Sequence, residues 1–136
     1  MPEETFDEFT ALDQEVADGI AQWSADAAAC TKLGTDGDLP GFRDCIANVM
    51  TQADEALSNA GSNTGAVSAQ VSAECLTAAQ TYAMALVNLR AAASLARGFA
   101  DSLDVKSMPA ALQSLAKGRK AYKTAGTQVR TACKPS

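Results

Sequence analysis

The sequence predicts an all-α fold, an antiparallel up-down-up-down four-helix bundle closed by two disulfides, Cys30–Cys45 and Cys75–Cys133. Three observations carry this expectation. The chain holds 29 alanines in 136 residues but only four Phe, two Tyr and one Trp; alanine is the strongest helix former, whereas aromatic and β-branched residues favour strands. Apolar residues recur at steps of three and four through four long segments, the period of a helix with one buried face. Between those segments lie short stretches of Gly, Asp, Ser and Pro, which end helices and form turns. A length of 136 residues suits a single domain spanning 1–136 and buries roughly two-thirds of the unfolded chain's surface.

The first helix, about 5–33, is expected to begin at a capping box, Thr5 to Glu8, in which hydroxyl and carboxylate satisfy reciprocal free amides. Its stripe is Phe9, Leu12, Val16, Ile20, Trp23, Ala27 and Cys30. The segment Gly34 to Leu39 has turn chemistry, with Asp38 placed to cap a second helix, about 40–60. There Phe42, Cys45 or Ile46, Val49, Ala53 and Ala56 turn inward. Gly61 to Gly65 reads as the second break. The third helix, about 66–99, lines up Val67, Val71, Cys75, Ala78, Tyr82, Leu86, Leu89, Ala93 and Ala96. Ser107 as cap and Pro109 in the first turn open the fourth, about 108–133. Its stripe is Leu112, Leu115, Arg119, Tyr122, Gly126, Val129 and Cys133.

Short connections make consecutive helices antiparallel. Every helix rises by about 1.5 Å per residue, so the numbers of facing residues add to a nearly constant value. Setting Tyr82 against Gly126, Leu86 against Tyr122 and Ala93 against Leu115 brings Cys75 opposite Cys133. Setting Trp23 against Ala53 and Ile20 against Ala56 brings Cys30 within one residue of Cys45. One of three possible connectivities is thereby selected, in which each bridge staples one helical hairpin.

Four widely spaced cysteines without a Cys-x-x-Cys pair point to an oxidising compartment rather than to zinc or redox chemistry. The acidic start, Met1 to Thr5, lacks the apolar segment of an export signal, so that signal is expected to have been removed from a secreted or extracytoplasmic protein. The most apolar stretch, Tyr82 to Ala100, contains Asn88, Arg90 and Arg97, and no transmembrane segment is expected.

The chain has no histidine. That removes the Ser-His-Asp triad, the Cys-His pair, imidazole-held zinc or haem, and the Glu-x-x-His motif of di-iron bundles. There is no phosphate-binding loop and no nucleophile beside a base, and the carboxylates of the first helix read as solvated rather than set in apolar surroundings. Asp36, Asp38, Gly41 and Asp44 fit part of a calcium-loop spacing, but Pro40 and Ala47 stand at positions five and twelve, where ligands are needed. No metal and no cofactor are expected.

Charge is unevenly placed. Residues 1–44 carry eleven acids and two bases, a net of −9, while residues 101–136 carry seven bases and two acids, a net of +5. The basic cluster Lys117, Arg119, Lys120, Lys123 and Arg130 is read as the complement of the acidic first helix, with a site for an anionic partner as the alternative. Nucleic acid is not an expected partner, because the chain is acidic overall at −5 and Tyr122, the aromatic nearest the basic cluster, lies on the core stripe.

Five residues are candidates for ligand binding: Tyr82, Leu86, Arg90, Arg119 and Tyr122. Arg90 and Arg97, one heptad apart, are read as stripe-edge residues that pair with the acids of a neighbouring helix, with a cleft for a carboxylate or phosphate as the alternative. Arg119 instead falls on the inward line and must reach solvent or find a carboxylate. Trp23, Met84 and Met108, with Tyr82 and Tyr122, have the chemistry to line an interior pocket. The expected function is that of an exported, non-enzymatic binding or interaction protein of the cell envelope or secreted fraction, working through a helical face with a protein partner. The alternative is a carrier that holds a small apolar or amphipathic ligand between its helices. A carrier predicts a cavity around Tyr82, Leu86 and Tyr122; an interaction protein predicts a tight core and an exposed apolar patch, here expected at Phe6, Phe9 and Leu12, where the first helix overhangs the second.

Overall fold

The computed structural model describes residues 3–67 and 72–135, the backbone alone for 62–67. Helix α1 spans Glu3–Thr35, α2 Leu39–Val67, α3 Ala73–Asp101 and α4 Met108–Ala132, with a short 3-10 turn, Val105–Ser107, before α4. The helices run up, down, up and down, each packed on its neighbours in sequence, and α4 returns to α1. Both expected bridges are formed: Cys30–Cys45 within the α1–α2 hairpin and Cys75–Cys133 within the α3–α4 hairpin.

Helix α1 starts earlier than the capping box predicts. Glu3 and Glu4 occupy its first turn, where negative charge is stabilised by the helix dipole, so Thr5 lies inside the helix instead of capping it. At the other end Gly37 takes φ +100°, a conformation open to glycine at no steric cost. Amides of Asp36 and Asp38 then reach back to the carbonyls of Lys32 and Leu33, both at 2.9 Å. The Asp38 carboxylate accepts from the Gly41 amide at 2.9 Å and so caps α2.

The expected break at Gly61–Gly65 is helical, and α2 continues to Val67. Glycine inside a helix costs about 1 kcal/mol relative to alanine, a cost that does not end α2 here; the turn before it, with Leu57 and Ala60, is buried. Val67 thus belongs to α2, the connection to α3 falls at 68–71, outside the described residues, and Val71 lies there too. Helix α3 begins instead at Ala73, its first turn capped by Ser72, whose hydroxyl accepts from the Cys75 amide at 3.3 Å. The longer α2 also covers the start of α1. Phe9 is buried, and Phe6 and Leu12 are partly buried against the core, which replaces the exposed patch expected there.

Helix α3 closes through Leu103 at φ 58°, with the Asp104 amide on the Phe99 carbonyl at 2.8 Å. Ser107 does not cap α4 with its side chain. Asp104 holds this corner instead, accepting from the Ser107 amide at 3.2 Å and from the Ser107 hydroxyl at 2.5 Å, and Pro109 sits in the first turn of α4 as expected.

The core has two parts. One lies toward the Cys75–Cys133 bridge and contains Phe9, Val16, Ile20, Leu57, Leu86 and the two tyrosines. The other lies toward Cys30–Cys45 and contains Phe42, Ile46, Met50, Met108, Leu115 and a run of buried alanines from α3. Trp23, half-buried, packs against both. Of the four seams, that between α1 and α4 is packed least closely.

Candidate functional site

The inward lines of α1 and α4 differ from the expected ones by a single residue each, and both shifts have consequences. On α1 the buried line is Phe9, Asp13, Val16 and Ile20, so a carboxylate occupies the position expected for Leu12. On α4 the line passes Ala111, Leu115, Tyr122, Gly126 and Val129, and between Leu115 and Tyr122 it runs through Gly118, which approaches Leu89, rather than Arg119. Arg119 is half-buried at the edge of the α1–α4 seam. It solves its burial by reaching out and has no carboxylate partner within ion-pair distance among the described residues.

Asp13 is the one buried charged residue among those described, at 7 % exposure, and it organises a polar cluster inside the core. The Tyr82 hydroxyl donates to Asp13 Oδ1 at 3.2 Å, the Tyr82 and Tyr122 hydroxyls lie 2.5 Å apart, and the Tyr122 hydroxyl is 3.2 Å from the Asp13 carbonyl. The Arg130 guanidinium donates to Asp13 Oδ2. Proton counting orders the chain: Tyr122 donates to Tyr82, Tyr82 to Oδ1, and Arg130 satisfies the other carboxylate oxygen. Among the described residues no buried side-chain polar atom lacks a partner, as such a network requires. Phe9 packs edge-on against Tyr82 with ring centroids 5.0 Å apart. A side chain at position 126 would place its Cβ 2.9 Å from Asp13 Oδ1, so glycine there makes room for the carboxylate.

Burial pushes both tyrosine hydroxyls well above the ordinary phenol range. Their mutual hydrogen bond lowers the Tyr82 value and raises that of Tyr122, and the Asp13 charge raises both. Both therefore stay protonated through the neutral range. The cluster ties α1, α3 and α4 together, with its tyrosines buried and its Asp13–Arg130 edge on the open trough between α1 and α4.

The five candidate ligand residues do not converge. Tyr82, Leu86 and Tyr122 are buried and pack with one another, filling the space where a carrier would hold its ligand. The enclosed cavity nearest them, lined by Ile20, Trp23, Met50, Leu57, Leu89 and Leu115 among others, has a volume of about 10 Å³, room for at most one water. Arg90 lies outside, paired with the Asp54 carboxylate of α2 at 3.0 Å as expected, whereas Arg97 reaches α2 through the Thr51 hydroxyl at 3.3 Å and not through an acid. Met84 points away from the core, and Met108 belongs to the other half of it. Among the described residues there is no group of three or more His, Cys, Asp or Glu placed to hold a metal, and the Asp38 carboxylate of the calcium-like turn is engaged by Gly41.

Two open surfaces remain. The first is a trough along the α1–α4 seam, in two parts of about 430 Å³ each that share Arg119 and Lys123. The basic cluster was expected to neutralise α1, yet Arg130–Asp13 is the ion pair between these helices among the described residues. Arg119, Lys120 and Lys123 stay unpaired on the trough wall. The second surface is the outer face of α3. Met84, Val87 and Leu95 are 59 %, 56 % and 43 % exposed, with exposed Ala91 among them. Beside them a groove of about 520 Å³ runs toward α4 over Ala91, Ala92, Gly118 and Ala121, with Lys117 on its rim. No helix among the described residues is long and apolar enough to cross a membrane.

The comparisons with family models, curated proteins and solved structures found no match to this chain.

Proposed function

We propose that this chain is an exported, non-enzymatic binding protein of a cell envelope or secreted fraction, which engages an amphipathic helix of a protein partner through the outer face of α3. One observation carries the reading. In 29 residues α3 has four charges, Glu74, Arg90, Arg97 and Asp101, and besides its buried inner side it carries an exposed apolar stripe, Met84, Val87, Ala91 and Leu95, among polar residues such as Asn88 and Ser94. An apolar stripe left facing water marks a site of interaction.

The spacing of the outer stripe supports a helical occupant. Met84, Val87, Ala91 and Leu95 follow steps of three and four, the seam that helix-in-groove recognition uses. They extend over about 16 Å at 1.5 Å per residue. Small residues in the adjoining groove let a second backbone approach closely, and Lys117 on the rim favours an acidic edge on the partner. Export is supported by the two disulfides, which persist in oxidising compartments. A non-enzymatic role is supported by the lack of histidine and by four cysteines that are all bridged. The filled space around Tyr82 and Tyr122 speaks against a carrier working from the centre of the bundle.

Selection from a displayed library of amphipathic helices tests the reading. Binders should carry an apolar stripe with acidic flanks and should lose at least ten-fold in affinity to Val87→Glu, but not to Leu33→Glu, a substitution at an exposed leucine elsewhere. Binders indifferent to Val87→Glu would overturn the assignment. A concentration-dependent dimer in sedimentation that disappears in Val87→Glu would instead make a second copy of the chain the occupant.

A further inference from the structure

The trough along α1 and α4 joins two features that ordinarily exclude each other. Its upper part has an apolar bed of Ala28, Leu112 and Ala116. Where its two parts meet stand Arg119 and Lys123, with Lys120 beside them, three cations without an ion-pair partner among the described residues in a chain whose net charge is −5. Asp13 and Asp18 of α1 line the lower part of the trough. With Asp13 answered by Arg130, Asp18 is the one carboxylate among the described lining residues to set against these three cations, and it pairs with none of them. Asp18 accepts from Gln14 Nε2 at 2.8 Å, and Asp13 is held by Arg130 and Tyr82. Like charges gathered on one wall repel, and an anion placed among them relieves that repulsion. An apolar bed is covered best by alkyl carbon. A small inorganic anion would leave the bed in water, and an uncharged alkyl chain would leave the cations unanswered. Each part of the trough, at about 430 Å³, is within the range of small-molecule sites.

We infer that the α1–α4 trough binds a single-chain anionic amphiphile, an alkyl carboxylate or alkyl phosphate taken up as a monomer. Its head lies between Arg119 and Lys123 and its tail along Ala28, Leu112 and Ala116. The site is separate from the α3 face and does not depend on it. The seam it occupies is the least closely packed of the four, so the tail adds contacts where the protein has fewest of its own.

Calorimetric titration below the micelle concentration tests this. Dodecanoate and dodecyl phosphate should each bind saturably with one-to-one stoichiometry. Dodecyl maltoside, which has the same tail without charge, and inorganic phosphate, the head without a tail, should bind at least ten-fold more weakly. Ala116→Trp fills the bed from an exposed position and should weaken dodecanoate at least ten-fold with the thermal melt retained. Arg119→Ala combined with Lys123→Ala should do the same, while Val87→Glu should leave dodecanoate binding unchanged. Equal affinity for the maltoside, or indifference to Ala116→Trp, overturns the site. Binding only to phosphatidylglycerol vesicles overturns monomer capture in favour of a membrane surface, and polyglutamate competing as well as dodecanoate overturns it in favour of an acidic protein segment.

Discussion

The two halves of the core are built from different materials. Toward Cys30–Cys45 the interior is aliphatic and alanine-rich, with Phe42 and Met108 filling the space between close backbones. Toward Cys75–Cys133 it holds a pair of tyrosines with tilted rings in contact and a carboxylate linked to a guanidinium. The first half gains from burial alone, which is non-directional. The second adds directional bonds between helices that otherwise touch least, since Asp13 on α1 and Arg130 on α4 clasp the loosest seam. Alanine-rich packing draws helices together, and the polar cluster fixes which residues meet.

Breaking each half in turn sharpens the contrast. The largest effects are expected from the bridges. Replacing Cys75 and Cys133 by serine should cost about 4 kcal/mol, and replacing Cys30 and Cys45 about 3 kcal/mol, from the 58- and 15-residue separations they close; urea midpoints under non-reducing conditions measure both. Next comes Arg130→Ala at about 3 kcal/mol, with Asp13→Ala at about 2 kcal/mol. The order follows from exposure. The Asp13 side chain is 9 % exposed and cannot recover water when left alone, whereas Arg130 is 37 % exposed and can. A double-mutant cycle on the pair should show positive coupling, and additive losses would remove the clasp from this account. Gly126→Ala should cost about 1 kcal/mol although alanine favours helices, because its Cβ meets Asp13; a stabilised variant would show that the carboxylate moves freely.

The last effect is absent at neutral pH and takes the form of a slope at high pH. Both tyrosine hydroxyls titrate higher in the folded protein than in the unfolded chain. Above a pH of about 10 the unfolded state therefore releases protons that the folded state retains, and stability is lost as pH rises. Replacing Tyr82 and Tyr122 together by phenylalanine should flatten this alkaline decline, and the aliphatic half contributes nothing to it. Urea midpoints between pH 9 and 12 provide the measurement.

Much of the fold was legible in the residues because helix periodicity and cysteine register are long-range regularities. Once Tyr82 is set against Gly126 and Leu86 against Tyr122, both bridges follow. The candidate site was less legible, for local reasons. Asp13 sits four residues after Phe9 and three before Val16, Leu12 three after and four before, so both obey the inward spacing. The polarity of Asp13 spoke against it, because a buried carboxylate is recognisable only once its partners on two distant helices are known. Arg119 erred the other way, since a helix of 3.6 residues per turn drifts between Leu115 and Tyr122 and selects Gly118. The helical run from Gly61 to Val67 was hidden by its two glycines, because a cost of about 1 kcal/mol each suggests a break without enforcing one. The outer stripe of α3 was not read from the sequence, where Met84 was expected to line an interior pocket, because exposure depends on which side the rest of the bundle leaves uncovered.

The placement of the bridges has a consequence for how the molecule comes apart. Each joins the two helices of one hairpin, so beyond the main chain no covalent bond crosses from the α1–α2 pair to the α3–α4 pair. The protein is covalently two boards with a spine along α2 and α3 and a fore-edge along α1 and α4. Reduction loosens the boards, but opening the book needs no reduction at all: what must give way is the Asp13 cluster and the apolar core the two boards share.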